Sequence, residues 1–192
     1  AGSMMPPEQA DILGCKVQAV TLEEAVAVIE SLINGKAPGL VVTLSAEMVV
    51  QALRDEKFRE IVRDSPLVVP DSTGVLWAAR RKNKKFIERV PGIDLLQRLA
   101  ALSAEKGWRF FLLGSEPGVA EEAAEKLRRR FPGFLCPGTH HGFFRDNEEV
   151  IRHIREASPH ILLIALGSPR QEKWFWENRD RLGVPVAIGV GG

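Results

Sequence analysis

The sequence predicts an α/β fold: a Rossmann-like, mostly parallel sheet with helices on both faces and an N-terminal lobe joined to it. Short apolar segments of strand length alternate with amphipathic segments of helix length along almost all of the 192 residues. Strands separated by helices need crossover connections, which make the sheet parallel and cover both of its faces. No repeat or linker divides the chain, so we expect a single core over residues 5–192, after an expression scar over residues 1–4.

The first half, which is expected to form the joined lobe, is predicted to contain two strands. A capping box at Thr21–Glu24 begins the first helix, and Asn34-Gly35 ends it. Apolar runs predict buried strands at 40–44 and 67–69. Further helices are predicted through 48–53, 58–62, 74–81 and 93–106, the last of them ended by Gly107.

The second half repeats this alternation. Strands are predicted at 109–113, 161–166 and 184–188, with a weak strand at 134–136. Helices are predicted up to Phe131, over 147–157 and through Trp174. Residues 137–142 are predicted to form a glycine-flanked loop that carries His140 and His141.

Composition and charge exclude several classes of function. Lysine and arginine total 26 against 25 acidic residues, so the net charge of +1 provides no basic field for a nucleic-acid partner. The dense basic run at 80–85 is predicted to be a solvated helix end, the alternative being a contact with an acidic membrane or a phosphate. Cys15 and Cys136 lack a CxxC spacing, which is typical of reduced thiols in a cytosolic protein.

Glycine-containing turns follow several predicted strands, at the edge of the sheet where parallel α/β folds bind ligands. The turns at 114–118, 167–169 and 189–192 could direct backbone N–H groups and a helix N-terminus at a phosphate, although such loops also use Gly and Pro simply to turn. The nucleotide-binding candidates are Gly114, Ser115, Gly138, His140, Gly167, Ser168, Gly189 and Gly191.

Asp71 allows two interpretations. It directly follows an apolar strand and Pro70, and it precedes a predicted helix. It could cap that helix, because Asp is among the best N-cap residues. It could equally serve as a general base at the end of a buried strand.

Metal and cofactor chemistry finds little support in the sequence. The pair His140-His141 has no third ligand at a recognisable spacing, so no metal site is predicted. The chain contains no Asp-x-Asp, GxGxxG, GxxxxGK[ST] or GxSxG motif, and no cofactor is expected. If the chain transfers a group from a nucleotide sugar, arginines and helix N-termini must stabilise the departing diphosphate.

Six segments together resemble the WecG/TagA/CpsF glycosyltransferases, from about residue 11 to the end, and most closely the wall teichoic acid linkage-unit branch. The segments are Val41–Met48, Val68–Asp71, Glu88–Asp94, Phe111–Gly114, Gly138–Gly142 and Gly167–Trp174. The resemblance implies an inverting, metal-independent transferase with a Rossmann-like core. It also implies transfer of N-acetylmannosamine from a UDP donor, through a β-1,4 link, to undecaprenyl-diphosphate-linked N-acetylglucosamine.

The resemblance also assigns roles to individual residues. Asp71 matches the proposed base and Thr43 the pocket threonine. Arg89 matches the arginine that positions the acceptor, and Gln171 matches the glutamine of the GxPxQE motif, expected to bind the donor. Two alternatives stay open: a family member that uses another donor, such as the uronic acid form of N-acetylmannosamine, and a non-catalytic UDP-binding module.

Three departures from the family pattern stand out. Ser45, which we expect to contact the sugar, replaces the usual Asn, and Ser72 replaces the usual Gly. Family members also continue past Gly192 with a basic, amphipathic tail that resembles a membrane-docking appendage. The resemblance therefore implies a truncated chain, an enzyme that is cytoplasmic and peripheral at the inner face of the membrane when full length, and an uncovered apolar surface that favours a homo-oligomer.

Overall fold

The computed structural model describes residues 6–191, so the predicted expression scar and Gly192 lie outside the described residues. The strands are β1 (Gln9–Ile12), β2 (Cys15–Gln18), β3 (Gly39–Leu44), β4 (Leu67–Pro70), β5 (Arg109–Gly114), β6 (Leu135–His140), β7 (Ile161–Ala165) and β8 (Val186–Gly189). The helices are α1 (Leu22–Ile33), α2 (Ala46–Arg54), α3 (Glu56–Asp64), α4 (Thr73–Lys82), α5 (Gly92–Lys106), α6 (Val119–Arg130), α7 (Asn147–Ala157) and α8 (Arg170–Leu182). Among these, no helix combines the length and apolarity needed to cross a membrane.

Strands β3 to β8 form one six-stranded sheet in the order β4-β3-β8-β7-β5-β6, and every neighbouring pair is parallel. The predicted Rossmann-like fold is therefore confirmed. Strands β3 and β4 from the first half belong to the same sheet as the strands of the second half. All six carboxyl ends consequently lie at one edge, where the sequence places most of its candidate site residues.

Each face of the sheet is covered by its own core, as alternation along the strands requires. On one face, Val42 of β3 and Leu162 of β7 pack with residues of α2, α3, α4, α7 and α8. On the other, Val41 and Leu163 pack with residues of α1, α5 and α6. The strands have apolar residues facing both ways, which is why their sequences read as continuous apolar runs.

The predicted ends of two helices are confirmed in detail. The Thr21 side chain accepts a hydrogen bond from the Glu24 N–H, and the Glu24 side chain accepts one from the Thr21 N–H, forming the capping box of α1. Helix α5 ends at Gly107, which adopts the left-handed conformation that favours glycine.

The antiparallel hairpin of β1 and β2 is absent from the sequence-based prediction. Its signal was present, because Ala10, Ile12, Cys15 and Val17 alternate with polar residues and are buried. The Gln18 side chain completes the polar edge of β4: it accepts from the Val68 N–H at 2.6 Å and donates to the Pro66 carbonyl. The hairpin thus protects an otherwise open edge of the large sheet.

Strand β6 is longer than predicted, and this corrects the placement of Gly138 and His140. Both were expected in a loop, but they lie in the strand, paired with Phe111 and Leu113 of β5. Pro137 suggested a break because it lacks an N–H. In β6, the outermost strand of the sheet, only one side needs hydrogen bonds, and a register irregularity accommodates the proline.

The basic run at 80–85 is largely used within the fold, which favours the helix-end interpretation over a ligand contact. Arg80, in the last turn of α4, donates to the carbonyls of Phe86 and Ile87. Lys82 donates to the Asp11 carbonyl, and Lys85 pairs with Glu8 at 2.8 Å. These contacts hold the connection after α4 and the N-terminal hairpin against one another.

Candidate active site

Asp71 lies directly beyond the carboxyl end of β4, where its N–H continues the sheet by donating to the Leu44 carbonyl. Of its two interpretations, the one as cap of the next helix is wrong, because Ser72 caps α4. The Asp71 Oδ1 instead accepts a hydrogen bond of 2.7 Å from the N–H of Gly92, the first residue of α5. The carboxylate is thereby held between a strand end and a helix N-terminus, half-buried at the mouth of the site.

Thr43 connects this corner of the site to the middle of the sheet. Its hydroxyl donates to the carbonyl of Gly189, at the end of β8, over 3.0 Å. Gly92 packs so closely on Thr43 that a Cβ at position 92 would approach the Thr43 Oγ1 to 3.3 Å. Asp71, Thr43 and Gly189 are therefore joined through the first residue of α5, and the predicted grouping of Asp71 with Thr43 is present.

Gln171 is held in a network of side chains at the start of α8. Its Nε2 donates to the Glu172 Oε2 at 2.8 Å and to the Ser168 Oγ at 3.2 Å, while its Oε1 accepts from the Gly191 N–H. The buried amide therefore links the turn after β7 to the turn after β8. These three hydrogen bonds fix the orientation of the Gln171 amide beside the ends of β7 and β8.

Glu172 is a polar residue of the site that sequence reasoning missed. Its side chain is buried, and its Oε2 accepts from the Ser168 hydroxyl at 3.0 Å, while its Oε1 has no hydrogen-bond partner among the described residues. Burial raises the pKa of this carboxyl above its usual value of 4.5. Glu172 is the last residue of the GxPxQE motif, but the sequence alone does not show that its carboxyl is buried.

We predict that Glu172→Gln flattens the dependence of stability on pH. A carboxyl whose pKa is raised by folding contributes stability that is complete below the unfolded value of 4.5 and is lost as the pH rises through the folded value. The amide stays neutral and still accepts from Ser168, so the variant should gain stability relative to the parent as the pH rises. Urea unfolding from about pH 4 to 8 measures this, with exposed Glu177→Gln on the same helix as control. Parallel stability curves for all three proteins would contradict it.

Ser45 and Ser72, the two departures from the family pattern, share one structural role. Each is the N-cap of the helix after its strand: the Ser45 hydroxyl accepts from the Met48 N–H, and the Ser72 hydroxyl from the Val75 N–H, both over 3.3 Å. Asn, Ser and Gly are all acceptable N-caps, so both replacements preserve the helix start. A hydroxyl that accepts from the backbone can still donate its own hydrogen, and the predicted sugar contact of Ser45 rests on that donor.

The turn after β5 is the most constrained of the glycine turns. Gly114 has φ of +135°, and Ser115, with φ of +61°, donates its N–H to the Ala165 carbonyl of β7. The chain leaves β5 toward β6 but leaves β7 toward β8, so a crevice opens between these neighbouring strands, where open α/β sheets bind ligands. An apolar cavity of about 320 Å³ lies there, lined by residues that include Leu112, Gly114, Ala165 and Val190.

The remaining predicted residues divide by their position along the sheet. Arg89 is exposed in the connection before α5, next to Val90, whose N–H donates to the Pro70 carbonyl at the end of β4. It therefore lies on the Asp71 side. Gly138 and His140 lie in β6, at the opposite edge of the sheet, and are not brought together with Asp71. They adjoin the β5 turn instead, since the Gly142 N–H donates to the Ser115 carbonyl.

The chain as a whole is similar to two proteins of named activity. The chain is similar to a protein of Staphylococcus aureus (strain NCTC 8325 / PS 47), with 28% identity over 185 residues that cover 95% of this chain and 72% of the relative. It is also 28% identical over 160 residues to a protein of Bacillus subtilis (strain 168), covering 83% of this chain and 62% of that relative. Both relatives are named N-acetylglucosaminyldiphosphoundecaprenol N-acetyl-beta-D-mannosaminyltransferase.

The sequence profile described as the glycosyl transferase WecG/TagA/CpsF family matches residues 10–192, which is nearly the whole chain. This span includes every residue of the cluster at the strand ends, from Thr43 to Gly191. The chain therefore belongs to the WecG/TagA/CpsF family of glycosyltransferases, and the resemblance seen in its motifs is confirmed.

Proposed function

We propose that this protein transfers N-acetylmannosamine from UDP-N-acetylmannosamine to undecaprenyl-diphosphate-linked N-acetylglucosamine, forming the β-1,4 link of the wall teichoic acid linkage unit. The observation that carries the proposal is the convergence of Asp71, Thr43 and Gln171 at the ends of β4, β3 and β8. The names of the two relatives specify this sugar and this acceptor.

The reaction we propose is a single displacement. Asp71 takes the proton of the acceptor's C4 hydroxyl as that oxygen bonds to the anomeric carbon of the donor, and the bond from this carbon to the diphosphate oxygen breaks on the opposite face. UDP leaves with the bonding electrons, and an α-linked donor becomes a β-linked product. Because the Asp71 Oδ1 already accepts a hydrogen bond from the Gly92 N–H, the Asp71 Oδ2 is the proton acceptor in this scheme.

The donor is proposed to extend from the crevice between β5 and β7 to the turn after β8. The apolar cavity has room for the nucleoside, with the β5 turn at its rim. Backbone N–H groups of the turns after β5, β7 and β8 would face the diphosphate, as in other α/β folds. We propose that Gln171 and Thr43 contact the sugar between these turns and Asp71, and that Arg89 positions the acceptor from the exposed side.

A comparison of donors tests the proposed function. Purified protein is incubated with a soluble lipid-diphosphate N-acetylglucosamine and with UDP-N-acetylmannosamine, its uronic acid form or UDP-N-acetylglucosamine, and both UDP release and the disaccharide are measured. We expect product only with UDP-N-acetylmannosamine. Product with the uronic acid would support the alternative donor, and UDP binding without product from any donor would support a non-catalytic module.

We predict that chelation leaves transfer intact. No Asp-x-Asp motif is available to hold a cation on the diphosphate, so backbone dipoles and arginine must stabilise the leaving group. In excess EDTA, at a temperature well below unfolding, both UDP affinity and turnover should stay within about twofold of their untreated values. Loss of turnover that Mg²⁺ or Mn²⁺ restores would show that a metal stabilises the leaving group.

We also propose that the enzyme works at the cytoplasmic face of the membrane, because its proposed acceptor is linked to a lipid. Attachment to anionic lipid headgroups would depend on basic side chains and would weaken as the salt concentration rises. Ile93 and Val119, both substantially exposed beside the cavity, are apolar surface that a membrane or a second copy could cover. Pelleting with anionic liposomes at rising salt tests attachment, and sedimentation velocity tests self-association.

A further inference from the structure

Three side chains with metal-binding atoms converge at the edge of the sheet opposite Asp71. His140 ends β6, while Glu149 and His153 lie four residues apart on α7 and so share one face of that helix. One ligand atom from each lies within 4.8 Å of the others, and the His153 Nε2 is 4.0 Å from the Glu149 Oε1. The sequence spacing does not reveal these neighbours of His140, because strand pairing and helix packing bring them together.

The tautomer of His140 suits metal binding. Its Nδ1 lies 2.8 Å from the His141 carbonyl oxygen, which can only accept, so Nδ1 carries the hydrogen and Nε2 carries the free lone pair. Metal-bound histidines usually donate their other N–H in this way, which fixes the ring. His141 is arranged differently, because its Nδ1 accepts from the Phe143 N–H.

We propose that His140, Glu149 and His153 bind a divalent transition-metal ion of the zinc class, with water as the fourth ligand. Two imidazoles and one carboxylate are a ligand set typical of zinc, whereas Ca²⁺ and Mg²⁺ prefer oxygen ligands throughout. Glu149 is exposed and both histidines are half-buried, so an ion and its water can reach the cluster from solvent.

The position of the cluster indicates a structural rather than a chemical role. Strand β6 is five positions from β4 in the sheet, which places the cluster about 24 Å from the Asp71 corner at the usual strand spacing. Its ligands instead flank the connection at 141–146. In that connection, the Gly142 N–H donates to Ser115 and the Gly142 carbonyl accepts from Arg170. A bound ion would close this connection and steady the turn after β5.

Cobalt substitution tests the site directly, on tag-free protein. We expect one Co²⁺ to bind per chain with the visible absorption of a four-coordinate site, Zn²⁺ to displace it, and Zn²⁺ to raise the Tm by several degrees. His153→Gln and Glu149→Gln should each weaken Co²⁺ binding by at least about tenfold. Glu156→Gln and His141→Gln, which alter neighbouring side chains outside the ligand set, should bind Co²⁺ like the parent.

Three outcomes would overturn the proposal: no saturable Co²⁺ binding, equal binding by the parent and both ligand variants, or an octahedral spectrum that no substitution changes. The last two would reduce the cluster to an ordinary surface pair of Glu149 and His153. Glu149 is exposed, so Glu149→Gln is expected to fold and keeps the test decisive even if a histidine variant does not. None of these readouts depends on sugar transfer, so they stand apart from the proposed function.

Discussion

Asp71→Asn is expected to lower the turnover of sugar transfer by about 10²–10⁴-fold, the usual effect of losing a general base. The amide oxygen can still accept the hydrogen bond from Gly92, so the geometry at the start of α5 is preserved. An amide cannot take the proton of the acceptor hydroxyl, however. We therefore expect UDP affinity to stay nearly constant while turnover falls, which steady-state kinetics and calorimetric UDP titration measure separately.

The matched control is Asp94→Asn. Asp94 also lies in the first turn of α5, two residues after Gly92, but its side chain is exposed. The Asp94→Asn substitution removes one negative charge from the same helix end, and turnover should stay within about twofold of the parent value. If Asp71→Asn kept more than a tenth of the parent turnover, Asp71 would be only an external cap for α5 and a different base would be needed.

Gly114→Ala is expected to destabilise the protein by about 3 kcal/mol or more. A Cβ at this position would lie 2.3 Å from the Ala165 carbonyl oxygen and 2.5 Å from its carbon, which are backbone atoms of β7 that cannot rotate away. The φ of +135° adds strain for any residue with a side chain. Urea unfolding should show the loss of stability, and UDP affinity should fall because the turn beside the cavity is displaced.

Gly118→Ala separates the two contributions. Gly118 ends the same turn with φ of +91°, but a Cβ there would meet no atom within 4 Å. Only backbone strain applies, so we expect a loss of about 1–2 kcal/mol with UDP affinity little changed. Equal losses at the two positions would mean that strand β7 adjusts to a side chain at Gly114 and that the close approach is unimportant.

Local pattern was sufficient to predict the large elements of the fold, because each is encoded by its own residues. A few neighbouring residues are enough to predict each of these elements. Examples are the Thr21–Glu24 capping box, Gly107 after α5 and the apolar run of β7. The hairpin at Gln9–Gln18 was detectable by the same logic, from its alternating apolar residues. The length of β6 was not, because Pro137 is tolerated only by virtue of an edge position that the sequence does not reveal.

The site was predictable where it depends on strand ends and not where it depends on packing. Asp71 and Thr43 follow buried strands, and parallel topology alone brings them to one edge. The partner of Asp71 could not be foreseen, since Gly92 reaches it from a helix that begins 21 positions later. The same holds for Glu149 beside His140, whose proximity requires α7 to pack beside β6.

The order of the strands also has a consequence for synthesis of the chain. β8 comes after the other five strands of the sheet in sequence, yet it lies between β3 and β7, near the centre of the sheet. At typical translation rates of about 5–20 residues per second, β3 is made roughly seven to thirty seconds before its partner β8 exists. During that interval the nascent protein holds two half-sheets with open apolar edges, which are surfaces that chaperones recognise and that promote aggregation. Completion of the sheet, and with it the bond from Thr43 to Gly189, therefore waits until β8 has been synthesised.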